Sequence, residues 1–154
     1  MPAEKDNLFK IFSQNESKIA QLYALYALAI PSQEKMWTRL SGEEIKHAMV
    51  LQKLDTVYGD SEKLYTAIEG ARNILDYVGN FIDEQLAAAQ SRDINVQEAI
   101  STAMRLEQSM IERKCFDIVS SNEPEIISIL ETLNKETENH FQILKMHIND
   151  SEIY

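Results

Sequence analysis

Cysteine occurs once in this chain, as Cys115. A single thiol forms no internal disulfide, no CxxC redox pair and no four-cysteine zinc or iron site, and such sparing use fits a reducing compartment. Breakers are nearly as scarce, with four glycines and three prolines in 154 residues. That leaves too few turns for a many-stranded sheet, while the plentiful Ala, Leu, Glu, Gln, Met and Lys favour helices. Positive charge is short as well: 15 Lys and Arg face 25 Asp and Glu, for a net charge of -10. Such a surface repels a phosphate backbone and an anionic bilayer, so neither nucleic acid nor a membrane is expected as a partner. No run of 18 uncharged apolar residues occurs, and the opening MPAEKDNLFK lacks the apolar core of a signal peptide. The expected location is therefore the cytoplasm.

What remains is 44% hydrophobic and 26% charged, the composition of one globular domain over residues 1–154. At this length folding buries roughly 68–70% of the unfolded surface, so a metal is not needed for stability and any metal bound serves function. The breaks at Pro31-Ser32, Gly59-Asp60-Ser61, Ser91-Arg92-Asp93 and Ser121-Asn122-Glu123-Pro124 predict five helices, near 5–30, 33–58, 61–90, 96–120 and 124–148. Ser32 suits the cap of the second, Asn95 with Glu98 forms a capping-box pattern for the fourth, and Pro124 suits the first turn of the fifth.

The apolar stripes of these helices contain ionisable residues. The second reads Trp37, Leu40, Glu44, His47, Leu51, Leu54, Tyr58, and the first reads Leu8, Phe12, Glu16, Ile19, Tyr23, Tyr26, Ile30. The fourth gives Val96, Ile100, Ala103, Glu107, Met110. The fifth offers two overlapping stripes, through Leu133, Thr137, His140 and Leu144 or through Leu133, Glu136, His140 and Ile143, and His140 belongs to both. The third is the control: Leu64, Ile68, Ala71, Leu75, Val78, Ile82 and Ala89 form a stripe with no ionisable member and read as structural.

In an antiparallel hairpin, residues equidistant from the turn share a level. Glu16 lies 15 residues before Pro31, and Glu44 and His47 lie 13 and 16 after it. Glu107 lies 15 before Asn122, and Glu136 and His140 lie 13 and 17 after Glu123. At about 1.5 Å per residue, all of them stand roughly 20 Å from their turns, in mid-bundle.

Each signal alone is weak. With 17 Glu in the chain, a Glu three residues before one of three His arises by chance about one time in three. A lone buried-stripe Glu is more often a snorkelling or hydrogen-bonded residue than a ligand. Four such residues at one level are different, because unneutralised carboxylates in an apolar core cost several kcal/mol each and repel one another. Two divalent cations supply the missing charge, and oxygen donors with imidazole suit iron or manganese, with zinc chemically possible. The bland readings hold elsewhere. His147, level with Glu98, reads as a surface pair, Glu43 points about 100° from Glu44 and reads as a solvated outer acid, and Met36, Met49, Met104, Met110 and Met146 read as core fillers. Tyr23 and Tyr26 read as core aromatics, with Tyr23 placed to face the site.

The pattern resembles the ferritin-like superfamily, specifically its rubrerythrin-like branch. ESKIAQLY, from Glu16 to Tyr23, is similar to the family's E-x6-Y, and LSGEEIKHA, from Leu40 to Ala48, to its LAxEExxHA. AISTAMRLEQS supplies the third acid, Glu107, and LNKETENHFQIL the last histidine, His140. The resemblance covers nearly the whole chain. It implies a ferritin-like antiparallel four-helix bundle with an additional long crossover helix, binding two metals through a Glu from each of two helices and Glu-x-x-His from each of the other two.

Carried over, the ligands are Glu16, Glu44, His47, Glu107 and His140, with Glu44 and Glu136 as bridges, Glu16 and Glu107 as terminal ligands, and Tyr23 and Thr137 around them. Two positions depart from the family. Thr137 stands where Glu is expected three before His140, leaving only Glu136 to substitute, and Met110 replaces a second Glu on the helix of Glu107. The implied activity is that of an iron oxidoreductase acting on peroxide or dioxygen, or oxidising ferrous iron. With one cysteine in the chain, an external electron donor protein is expected, and a symmetric homodimer is the default assembly. The alternative is a degenerate bundle that holds one metal or none and works through protein contacts.

Overall fold

A computed structural model describes residues 8–58, 64–66, 71–112, 119–121 and 123–151. Helix α1 spans Leu8–Ala29 and a single 3-10 turn, Pro31–Gln33, leads into α2, Glu34–Tyr58. Strand β1, Leu64–Thr66, precedes α3, Ala71–Ser91, and α4, Val96–Glu112. Strand β2, Val119–Ser121, then precedes α5, Pro124–Ser151. The architecture is an all-α bundle with one short two-stranded antiparallel ladder, registered Leu64 to Ser121, Tyr65 to Ser120 and Thr66 to Val119.

The helix ends follow local chemistry. Ile30, at φ -127° and ψ 79°, ends α1 because the residue before a proline is kept out of the helical region. Pro31 opens the 3-10 turn, so Ser32 lies inside that turn and does not act as the expected cap. Asn95 does cap α4, its Oδ1 accepting from the Glu98 amide at 2.8 Å. Pro124 starts α5 at a position where a missing N–H costs nothing.

Two expected boundaries fail. Residues 64–66, expected in the third helix, and 119–120, expected in the fourth, form strands; among the described residues those helices cover Ala71–Ser91 and Val96–Glu112. The tripeptides Leu64-Tyr65-Thr66 and Val119-Ser120-Ser121 carry β-branched and aromatic residues that suit a strand, and pairing across the chain overrides the weak helical pattern. Leu64 is thus a strand residue; Ile68, Glu69 and Cys115 lie outside the described residues.

Hydrogen bonds fix the helix directions. The hydroxyls of Ser13 and Ser41 donate to the carbonyls of Ala48 (2.9 Å) and Ala20 (2.7 Å), which sets α1 antiparallel to α2. Residues 47 and 136 meet, as do 43 and 140, so α2 and α5 are antiparallel as well. Helix α3 runs parallel to α1, with the Asn15 amide donating to the Leu75 carbonyl (3.1 Å) and Lys18 paired with Asp83 (3.0 Å). Gly79 permits this approach: a Cβ there would stand 2.8 Å from Asn15 Oδ1. Arg105 of α4 lies over the Phe81 ring of α3 at 5.0 Å, joining the second half of the chain to the crossover helix.

The core is apolar at both ends of the bundle. Tyr23, Tyr26 and Trp37 pack together, with Trp37 5.4 Å from Tyr23 and 5.0 Å from Tyr26 between ring centroids. Leu75, Val78 and Ile82 of α3 are buried as the stripe predicts. Met36 and Met104 pack against the core, but Met49 and Met146 are 64% and 66% exposed and fill no core gap. Among the described residues no helix is long and apolar enough to cross a membrane.

Candidate metal centre

Five ionisable side chains interrupt this core at one level. Glu16 of α1, Glu44 and His47 of α2, Glu107 of α4 and His140 of α5 are all buried. They fall into two groups of three, Glu16–Glu44–His47 and Glu44–Glu107–His140, within each of which one donor atom per residue lies within 4.8 Å of the others. Glu44 belongs to both. Its Oε1 is 2.7 Å from His140 Nδ1 and its Oε2 3.3 Å from His47 Nδ1. His140 Nδ1 is also 3.5 Å from Glu107 Oε1. The two imidazoles stack, with centroids 5.5 Å apart and planes at 17°.

Both rings face the same way. Each turns Nδ1 inward to the carboxylates and Nε2 outward to another acid: His47 Nε2 lies 2.5 Å from Glu136 Oε2, and His140 Nε2 lies 2.9 Å from Glu43 Oε1. An outer carboxylate that accepts the Nε2 proton leaves the Nδ1 lone pair pointing inward, which is how metal-binding histidines are oriented. Tyr23 adds to this outer layer, its hydroxyl donating to Glu107 Oε1 at 2.8 Å.

The electrostatics show what the burial costs. Desolvation, reinforced by the charge of Glu44, pushes the Glu107 carboxyl up to about 7. Burial alone would depress His140, but Glu107 and Glu44 outweigh it and raise it to about 11. His47 is raised in the same manner, with Glu44 and Glu136 overcoming its desolvation. Burial also disfavours the Glu44 carboxylate, yet Glu16, His140 and His47 hold it below the ordinary range. Burial together with Glu107 keeps the Tyr23 phenol well above its usual value, and so a proton donor.

Despite these approaches, both oxygens of Glu44, Oε2 of Glu107 and Nδ1 of both histidines have no hydrogen-bond partner. The contacts bring charges together without hydrogen-bond geometry. Buried donors and acceptors left so are rare and expensive. Donor atoms of Glu44, Glu107, His47 and His140, converging beside the Glu16 carboxylate, fit a divalent cation of the iron, manganese or zinc kind.

The outer residues depart from expectation. Glu136 does not join either group: its side chain is 41% exposed and serves His47 from the rim. Thr137 occupies the inward position three before His140, buried, with its hydroxyl donating to the Leu133 carbonyl at 2.9 Å. With the small Thr137 on the buried face, Glu136 is turned aside by one residue, about 100°. Glu43, expected to be solvated, is half-buried and bonds to both His140 and Arg39. Only the α2–α5 register reveals that role, because the bonded residues are 97 positions apart. His147 Nδ1 meets the Ile143 carbonyl of its own helix, and Glu98 pairs with Arg92 at 2.6 Å. Among the described residues no side chain of α3 joins either group, and Asp76 and Asp83 are exposed. The Met110 side chain lies outside the described set.

Comparison with protein-family models, with curated proteins and with solved structures finds no match to this chain.

Proposed function

We propose that the chain is a ferritin-like, rubrerythrin-type di-iron carboxylate oxidoreductase that acts on peroxide or dioxygen, or oxidises ferrous iron, with electrons returned by a separate donor protein. The observation that carries this reading is the sharing of Glu44 between two buried three-donor groups, with both Glu44 oxygens and the Nδ1 atoms of His47 and His140 left without a hydrogen-bond partner. In it Glu44 would be shared by the two metals, Glu16 and Glu107 would each hold one of them, and His47 and His140 would give one nitrogen to each. Glu136 and Glu43 hold the outer nitrogens, and Tyr23 fixes the orientation of Glu107. Two iron ions, when bound, supply two electrons to an O–O bond. The protein's own share is to set ligand geometry in a dry site and to keep Tyr23 available as a proton donor beside Glu107. Support for the ferritin-like arrangement comes from the antiparallel α1–α2 and α2–α5 pairs and from the ligand-free crossover helix α3.

One observation favours a second reading. Thr137 spends its hydroxyl on its own helix and Glu136 stands outside both groups, so the centre has three inner carboxylates instead of four. On that basis the bundle holds one metal or none and works through protein contacts. Stopped-flow oxidation of the iron-loaded chain separates the two. The di-iron reading predicts two ferrous ions consumed per hydrogen peroxide with two waters formed, and a loaded protein inert to peroxide and dioxygen supports the second.

A further inference from the structure

Between α2 and α5 the surface opens into a cavity of about 330 Å³. Val50, Ile129 and Leu133 form its apolar walls, the exposed Lys46, Ser128 and Thr132 stand at its rim, and the His47–Glu136 pair forms its floor. The side chain of His47 is only 3% exposed and reaches from that floor to Glu44 through Nδ1, whereas Glu136 is 41% exposed. A single imidazole therefore separates the cavity from the Glu16–Glu44–His47 half of the centre. On the far side His140 and Glu107 are fully buried, and Glu43 is tied to Arg39 at 3.0 Å. Two other cavities, of about 440 and 420 Å³, run along α1 and α2 and are lined by none of the residues of the centre.

Size and lining select an occupant. A molecule as small as water takes up about 30 Å³, an order of magnitude less than this cavity. It gains nothing from walls of Val, Ile and Leu, which favour an apolar body leaving water. We propose that the cavity is the substrate port of the centre and takes an organic hydroperoxide, with its apolar body against Val50, Ile129 and Leu133 and its O–OH end at the His47–Glu136 floor. The proposal rests on the di-iron reading above and names its substrate class. The reaction balances: the O–O bond breaks, two ferrous ions give up one electron each, and two protons from solvent complete one alcohol and one water.

The test uses the full chain loaded with zinc, which is redox-inert, and cumyl alcohol, the product of cumene hydroperoxide. In an NMR titration the amides of Val50, Ile129 and Thr132 shift on addition of the alcohol. Thr132→Trp, which fills the rim from α5, weakens the binding at least tenfold at unchanged zinc content. Val50→Trp fills it from α2 and gives the same result where the first variant fails to fold. With iron loaded, the ratio of oxidation rates for cumene hydroperoxide over hydrogen peroxide falls at least tenfold in either variant. No shifts at these amides in a zinc-holding protein, or an unchanged rate ratio, overturns the port and leaves the di-iron reading standing. A chain that takes up neither zinc nor iron overturns both, and metal analysis tells the two failures apart.

Discussion

On the Glu16 side of Glu44, His47 backs onto Glu136 at the floor of a cavity; on the Glu107 side, His140 backs onto Glu43, and Tyr23 bonds Glu107. The inner donors of the two halves are alike in kind, one terminal glutamate and one Nδ1 each, and the shared carboxylate comes from α2 alone. The corresponding place on α5 is held by Thr137, three before His140 as Glu44 is three before His47. Near-equal inner sets with unequal surroundings mean that access and rigidity, more than donor type, distinguish the halves. Both imidazoles are hydrogen-bonded from behind, but the His140 side is sealed and has Tyr23 on Glu107, whereas the other reaches solvent past one imidazole.

Removing the shared residue breaks both halves at once. Glu44→Ala is expected to abolish metal uptake, while His47→Ala and His140→Ala each lose one ion of two. Far-UV dichroism stays helical in all three, because the apolar core at either end of the bundle is untouched. Metal analysis after gel filtration checks this, and an ion retained by Glu44→Ala means the halves do not share that ligand.

The pH response sharpens the comparison, since it is set mainly by the sealed half. Without metal, Glu107 titrates at about 7 in the fold against about 4.3 unfolded, and His140 at about 11 against about 6.5 unfolded. The native state thus binds extra protons through both windows, and the metal-free chain loses stability as pH rises from about 4.3 towards 11. Metal binding displaces those same protons and so strengthens with pH. Thermal melts with and without zinc are expected to show a larger metal-induced rise in Tm at pH 8 than at pH 5.5. An equal rise at both values contradicts the assignment of Glu107 and His140 as ligands.

How far the centre is legible in sequence depends on which side of a helix is asked about. Glu16, Glu44, His47, Glu107 and His140 stand out because each occupies an apolar stripe, and distance from the turns puts them at one level. Glu136 and Glu43 could not be sorted so. One sits beside a ligand position and the other beside Glu44, and a residue's 100° offset decides between inward ligand and outer partner. That choice depends on how α2 and α5 rotate against each other, a property of packed helices and not of either sequence alone. The β1–β2 ladder was hidden for a similar reason: its partners are 57 residues apart at Leu64 and Ser121, so nothing local announces them.

The smallest effect concerns α3, which shapes the bundle and, among the described residues, supplies no member of either donor group. Gly79→Ala forces Asn15 Oδ1 away from a Cβ that would stand 2.8 Å off, an overpacking cost of about 1–3 kcal/mol that the roughly 1 kcal/mol gained by Ala over Gly inside a helix offsets in part. Scanning calorimetry is expected to show a Tm lowered by several degrees with metal stoichiometry unchanged; a lost ion ties α3 to the centre after all.

Counting metal in the unaltered chain addresses the shared centre most directly. Cobalt titration under anaerobic conditions, followed by visible absorption and magnetic susceptibility, is predicted to end at two ions per chain that are magnetically coupled through Glu44. An endpoint at one ion or none, or two ions without coupling, contradicts a centre built on a shared carboxylate.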